Sequence, residues 1–237
     1  MGPVAFIPAK GHSERLPGKN VAFLGGRPLL HWTLAAACES ELFEQMYVST
    51  DSDRVAEAAA AFPAVRILMR PIRLQDSTVE MVLLWHRLHR AWPHEATVYV
   101  LLPTSPFRTA ETMRAAWQLF QSHPRYHRLL SVTAYAHPPQ WALHVVDADG
   151  EERLGVWMPH QFNQTRSQLP QLLRHDGGHQ IIRQLDGPEW LPFFPPADEV
   201  LDINTPDDLA YAQWRLDQRS AMPSKDRSSQ ATSTETV

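Results

Sequence analysis

V-A-F-I-P-A-K-G-H-S-E-R-L-P-G-K-N, residues 4–20, decides how the rest of the chain is read. Val4, Ala5, Phe6 and Ile7 form a short apolar run of the kind buried in a parallel sheet. The chain then turns polar, with Gly11 and Gly18, Pro8 and Pro17, and the cations Lys10, Arg15 and Lys19. Glycine lets backbone N–H groups approach an anion closely, and lysine and arginine neutralise it. A strand that empties into such a loop is suited to receive phosphates.

Outward from this loop, strand and helix signals alternate. Residues 28–40 read as a helix, 46–50 as a strand, and Asp51-Ser52-Asp53 as cap residues for a helix over 54–61. Residues 65–68 form a short strand, 79–91 a helix, 97–102 an apolar strand, 109–122 a helix capped by Thr109, and 129–134 another strand. This order predicts an α/β fold, a mostly parallel sheet with helices on both faces. In such sheets ligands sit at the carboxyl ends of the strands. The second half is less regular. Residues 141–146 are a strand candidate, 147–150 a turn, and 160–180 a polar segment. Residues 200–203 read as a final strand, and Thr205-Pro206-Asp207-Asp208 starts a helix to about 218. Residues 220–237 are rich in Ser and Thr and are expected to be disordered, leaving 1–219 as one domain.

The 237 residues suit one large α/β domain, and 43% hydrophobic residues support an ordinary core. A net charge of −4 argues against nucleic acid as a partner, so any cationic site must be local. The single Cys38 excludes an intramolecular disulfide and reads as a structural thiol. No apolar stretch approaches the roughly 18–20 residues that span a bilayer. The N-terminus lacks a signal-peptide pattern, so a cytoplasmic location is expected. His86 and His89 lack matching Cys or acidic neighbours, which argues against zinc.

Seven motifs follow one another along the chain: I-P-A-K-G-H-S-E-R-L-P-G-K-N (7–20), V-S-T-D-S (48–52), M-R-P-I-R-L-Q-D-S (69–77), L-L-P-T-S-P-F-R-T (101–109), H-P-P-Q-W-A-L (137–143), T-R-S-Q-L-P (165–170) and D-I-N-T-P-D-D-L (202–209). In this order they resemble the acylneuraminate cytidylyltransferases (CMP-sialic acid synthetases) and the related KDO cytidylyltransferases. The resemblance covers nearly the whole chain except the tail. It implies a Rossmann-like nucleotidyltransferase fold that transfers CMP from CTP to a nonulosonic acid and releases pyrophosphate. Both reactants are anionic, so the chemistry calls for charge neutralisation and in-line positioning. By the resemblance, Lys10, Gly11, Ser13, Arg15, Lys19, Asn20, Arg70 and Thr104 bind the nucleotide, and Lys19, Arg15 and Asp202 serve catalysis. Arg166, Arg174 and Gln168 face the acceptor, and Asp202 and Asn204 hold Mg²⁺. The resemblance also implies a homodimer, with residues 137–165 exchanging contacts between subunits.

Each of these residues also has a plainer reading: Thr104 and Ser105 equally suit helix capping, and Arg70, Arg166 and Arg174 suit ion pairs. The chain departs from the family at several positions. Lys10 stands where arginine is usual, and Glu14 where the sialic acid enzymes often carry lysine. Leu102 replaces a glutamine that helps read cytosine, Asn204 replaces an acid, and Asp176-Gly177-Gly178-His179 replaces N-G-A-I. Transfer from another nucleotide, transfer to another acidic acceptor such as a phosphonate, and a nucleotide-binding homologue with impaired turnover therefore stand as alternatives.

Overall fold

The computed structural model describes residues 2–74, 76–93, 96–148 and 151–221. The expectation of disorder for the tail falls outside the described residues from 222 onward, whereas Ser220 and Ala221 end the last helix. The chain runs β1 (Val4–Pro8), β2 (Phe23–Leu24), β3 (Arg27–Pro28), α1 (Leu29–Ser40), β4 (Gln45–Thr50), α2 (Asp53–Ala59), β5 (Val65–Met69), α3 (Val79–Leu88) and β6 (Val98–Val100). It continues through α4 (Ala110–Ser122), β7 (Arg128–Ala134), β8 (Leu143–Ala148), β9 (Glu151–Val156), α5 (Pro159–Phe162), β10 (Leu173–Ile182), β11 (Trp190–Phe193) and α6 (Pro206–Ala221).

Seven strands form one sheet in the order β11-β7-β10-β6-β1-β4-β5. β1 pairs in parallel with β4 and β6, β4 with β5, and β11 with β7; β10 is antiparallel to both its neighbours. β1 shows why its apolar run is continuous. Ala5 and Ile7 enter a core with Leu30, Leu34, Val55 and Met113, from α1, α2 and α4. Val4 and Phe6 enter a second core with Val82 and Leu83 of α3. Both faces are covered, so both sets of alternating side chains are buried.

The helix starts follow their caps. Ser52 Oγ accepts from Val55 N–H at 3.5 Å, and Thr109 Oγ1 from Thr112 N–H at 3.1 Å. Thr205 and Asp208 cap α6 reciprocally: Asp208 N–H donates to Thr205 Oγ1 at 3.2 Å, and Thr205 N–H to Asp208 Oδ2 at 2.8 Å.

Three parts of the second half depart from the sequence reading. Residues 200–203 do not form a strand. Ile203 is buried against Leu16, Leu24, Leu29, Phe107 and Ala212, so packing rather than a ladder accounts for this apolar run. The strand expected over 141–146 is present from Leu143 as β8, but Trp141 closes a 3-10 turn before it, and β8 pairs with β9 as a hairpin separate from the main sheet. Asp147 and Ala148 belong to β8, not to a turn, and residues 149–150 lie outside the described residues. Finally, the polar segment contains most of β10, and β11 is a strand that the sequence reading does not include. β11 is an edge strand, where Pro192 costs no ladder bond.

Candidate active site

The parallel strands β1, β4, β5 and β6 all end on one side of the sheet, and the candidate residues follow those ends. Beyond β1, Ala9 N–H bonds to Ser49 O at 2.9 Å, fixing the start of the loop. Gly11 N–H donates to Asp51 Oδ1 at 2.7 Å, and Asn20 Nδ2 donates to Lys10 O at 2.8 Å. The loop is thus closed at both ends. Gly11 cannot be larger: a Cβ there would lie 2.5 Å from Ser52 Cβ. Gly18 takes the left-handed conformation, φ 66°, and starts the 3-10 turn that presents Lys19 and Asn20. Ser13 and Asn20 are buried in the loop, while Arg15 is exposed.

Lys19 ties this loop to the other end of the chain. Its Nζ donates to Asn204 Oδ1 at 3.0 Å, and Asn204 Nδ2 donates to Asp202 Oδ2 at 2.7 Å. An ammonium, an amide and a carboxylate therefore stand in line. Burial lowers the Lys19 pKa; Asp202 and Asp208 oppose the shift, and the neighbouring charges of Arg15 and Lys10 add to it. Burial pushes the Asp208 carboxyl up, but hydrogen bonds from Asn204 and Thr205 outweigh it and hold the carboxyl below its usual range. Lys10 reaches Asp76 at 3.4 Å.

Arg70 follows β5, its N–H bonded to Thr50 O at 2.8 Å and its side chain buried. Burial lowers its pKa against the attraction of Asp51, and its Nε has no hydrogen-bond partner among the described residues. Thr104 follows β6 and accepts Ile203 N–H on its carbonyl at 2.9 Å, which joins the strand end to Asp202. Leu102 packs into the core beside α3, and its carbonyl accepts from Arg108 Nη2 at 2.7 Å.

The floor of the site consists of residues that the sequence reading did not assign to it. β10 bulges between His175 and Gln180. At the bulge, Gly177 has φ 80°, and a Cβ there would meet Ser105 Oγ at 3.4 Å and the Asp202 carboxylate at 3.6 Å. The bulge is held by Asp176 Oδ1, which accepts from Gly178 N–H at 2.7 Å and from the Ser131 hydroxyl. Ser131 Oγ in turn accepts from His179 N–H at 2.6 Å, and His179 Nδ1 lies 2.6 Å from the Tyr99 hydroxyl. Burial lowers the Arg108 pKa to about 10, against Tyr99, Asp176 and Glu199, and burial drives His179 well below its usual value. Glu199 accepts from Thr109 and Thr112 of the α4 cap. Ser105 Oγ, Asp176 Oδ2 and two Arg108 nitrogens are buried without a hydrogen-bond partner among the described residues. The D-G-G-H departure therefore forms one connected polar set. Its sequence signal was charged and polar residues inside a strand-length segment.

The proposed acceptor residues divide. Arg174 lies on β10 opposite Thr133, two residues before Asp176, on the same side of the sheet as the loop. Arg166 and Gln168 lie beyond the hairpin arm. Arg166 Nη1 donates to Ala136 O at 3.2 Å and lines a cavity with Tyr135 and Gln140, and Gln168 Oε1 accepts from Thr165 N–H at 2.9 Å. The structure gives them no contact with the Lys19 cluster.

The donor set also bears on Mg²⁺. Asp202 offers a carboxylate oxygen toward Gly177, and Mg²⁺ is commonly held by one or two carboxylates together with substrate phosphates. Asp202 fits that role. Asn204 is placed as a bridge, with its oxygen on Lys19 and its nitrogen on Asp202, rather than as an open ligand. Among the described residues no cluster of three or more His, Cys, Asp or Glu side chains could hold a metal alone.

These features define a class: an α/β protein with a cationic glycine-bearing loop at the carboxyl ends of parallel strands, facing a carboxylate. A family model described as cytidylyltransferase matches residues 4–154, and the chain belongs to that family. It is 33% identical over 151 residues to the CMP-N,N'-diacetyllegionaminic acid synthase of Legionella pneumophila, covering 62% of this chain and 64% of that protein. Against the N-acylneuraminate cytidylyltransferase of Escherichia coli it is 36% identical over 138 residues, covering 58% of this chain and only 32% of the relative. The pseudaminic acid cytidylyltransferase of Campylobacter jejuni aligns over 93% of this chain and 100% of its own length at 24% identity. A solved CMP:2-keto-3-deoxy-manno-octonic acid synthetase complexed with CTP superposes with a TM-score of 0.66 at 18% identity, covering 92% of this chain and 100% of that one. That likeness concerns the fold. Among the described residues no helix is long and apolar enough to cross a membrane.

Proposed function

We propose that this protein transfers CMP from CTP to a nonulosonic acid of the sialic, legionaminic or pseudaminic type, releasing pyrophosphate. The observation that carries the proposal is the line Lys19–Asn204–Asp202, which sets a phosphate-binding cation 3.0 Å from an amide that is itself 2.7 Å from a carboxylate. The loop of Lys10, Gly11, Ser13, Arg15 and Lys19 receives the triphosphate, with Asn20 holding the loop closed and Arg70 and Thr104 lining the nucleotide side. The anomeric hydroxyl of the acceptor attacks the α-phosphorus. The bond to the bridging oxygen breaks, pyrophosphate leaves with the electron pair, and Asp202 takes the hydroxyl proton. Lys19 and Arg15 neutralise the charge that develops on the leaving group. Mg²⁺, when bound, would neutralise phosphate oxygens beside Asp202.

Arg174 would bind the acceptor carboxylate from β10, through two parallel hydrogen bonds. Arg166 and Gln168 would join it only if the arm of residues 137–165 closes on the site or on that of a second copy. The arm exposes Leu143, Val145, Leu154 and Trp157, which supports a homodimer through this hairpin. Sedimentation of wild type and Leu154→Ser/Trp157→Ser checks this, and a wild-type monomer would exclude it.

Leu102 packs in the core and offers no side-chain hydrogen bond to a base, which favours testing the nucleotide as well as the acceptor. Pyrophosphate release should be measured with each common nucleoside triphosphate, Mg²⁺ and a panel of nonulosonic acids and phosphonates. Release with CTP and a nonulosonic acid supports the proposal. Release only with another nucleotide or acceptor, or stabilisation by nucleotide without release, contradicts it.

A further inference from the structure

A second cavity, of about 700 Å³, lies at the opposite end of the sheet from the loop site. Its floor is the amino-terminal end of β4 and β5: Gln45, Tyr47 and Arg66, the last two paired across the strands. Its wall is the end of α3 and the chain beyond it, with Arg87, Arg90 and Trp92. Among the described residues no carboxylate lines it. The three guanidiniums only donate, and Gln45 presents its amide nitrogen because its oxygen already accepts the Tyr47 hydroxyl. Arg66 and Arg90 have no ion pair or side-chain hydrogen bond among the described residues, and Arg87 donates only to Ala96 O at 3.2 Å.

The helix end suits some positive charge, since cations near a helix C-terminus meet the helix dipole favourably. That does not account for Arg66, which comes from a strand. Nor does it account for Arg90 at φ 56°, a left-handed position just past a helix where glycine is usual and a side chain is strained. A chain of net charge −4 thus gathers three arginines in one concavity, with no acid among the described residues that line it. Such a cavity focuses positive potential, and a bound anion relieves the repulsion.

We propose that the cavity formed by Arg66, Arg87, Arg90 and Gln45 is a second ligand site that binds a small phosphate-bearing anion, with a diphosphate group spanning the guanidiniums. Planar guanidiniums bind phosphate oxygens in pairs, and the volume accommodates more than one phosphate group. The mechanism proposed above uses none of these residues, so the two ideas stand or fall separately.

The test is calorimetric titration of pyrophosphate into the full chain at low salt, for wild type, Arg66→Gln/Arg90→Gln, Lys19→Met and the triple variant. A binding event that survives Lys19→Met and weakens at least about tenfold on adding Arg66→Gln/Arg90→Gln supports the site. Both arginines are exposed, so the variants should keep their fold, and circular dichroism verifies this. Pyrophosphate should also raise the melting temperature of Lys19→Met more than that of the triple variant. Identical isotherms with and without the two arginines would overturn the proposal. So would tight binding of a single-stranded oligonucleotide that excludes pyrophosphate, which would make this a surface for a macromolecular anion.

Discussion

Replacing Lys19 with methionine separates a binding cation from a structural one. Methionine keeps an unbranched apolar stem of similar length and removes only the ammonium. In the free protein the ammonium is disfavoured overall: burial lowers its pKa despite the attraction of Asp202 and Asp208. The hydrogen bond to Asn204 at 3.0 Å is lost, but so is the desolvation of a half-buried charge. The two effects oppose each other, and the melting temperature should stay within about 2 °C of wild type or rise slightly. With a triphosphate bound, the balance reverses, because the ammonium then meets phosphate oxygens. A hydrogen bond between charged partners contributes about 1.5–3 kcal/mol, so the CTP dissociation constant should rise roughly 10- to 150-fold. Calorimetric titration of CTP, beside a thermal melt of the unliganded protein, reads both quantities. A dissociation constant within threefold of wild type would refute the phosphate role. A large fall in melting temperature together with lost binding would make Lys19 a structural residue instead.

Three further outcomes follow from the same geometry. Gly11→Ala places a Cβ 2.5 Å from Ser52 Cβ, so the loop must shift; about 1–3 kcal/mol of stability should be lost in a thermal melt, and CTP affinity with it, whereas unchanged affinity would count against the loop. Asp176→Ala leaves Ser131 and Gly178 without their acceptor and removes one of the two acids near buried Arg108, Glu199 remaining; a loss of about 1–3 kcal/mol is expected in denaturant titration, and a loss well under 1 kcal/mol would show that the floor does not depend on this carboxylate. His86, held at 2.7 Å from Ser49 Oγ, has a pKa lowered to about 4 by burial and by the nearby Arg70 and His89 charges. The folded state then binds fewer protons than the unfolded state, so this stability is fully present above about pH 6.5 and is lost as pH falls toward 4. His86→Gln keeps a partner for Ser49 and cannot titrate, so its melting temperature should fall less steeply over that range; parallel slopes would contradict the assignment.

How much of this was legible in the sequence varied with the kind of interaction involved. The opening loop was readable because a buried strand and a glycine- and proline-bearing cationic loop are local patterns. Thr109 and Thr205 were readable as caps for the same reason. The segment of Asp202 reads as a strand but is not one: an apolar run shows that residues are buried, not whether a ladder or packing buries them. β10 is hard to read from sequence because its buried side chains before Ile181 and Ile182, Asp176 and His179, are polar. Asp176 and His179 are stabilised by Ser131 and Tyr99, 45 and 80 residues away in sequence, and no periodicity encodes partners at that distance. Asp51 was read as a helix cap, but Ser52 does that work and Asp51 instead fixes Gly11. Asn204 was readable as a departure from the family, yet its role as the bridge between Lys19 and Asp202 emerges only from the geometry.

The central claim is that the Lys19 loop and Asp202 serve CMP transfer. The most direct measurement incubates the protein with CTP, Mg²⁺ and each of N-acetylneuraminic, legionaminic and pseudaminic acids, and identifies the products by mass spectrometry. The account predicts a CMP-linked nonulosonic acid and an equal amount of pyrophosphate from at least one acceptor, with both lost in Asp202→Asn. Absence of any CMP-linked acid from a folded protein that binds CTP, or undiminished product from Asp202→Asn, would contradict it.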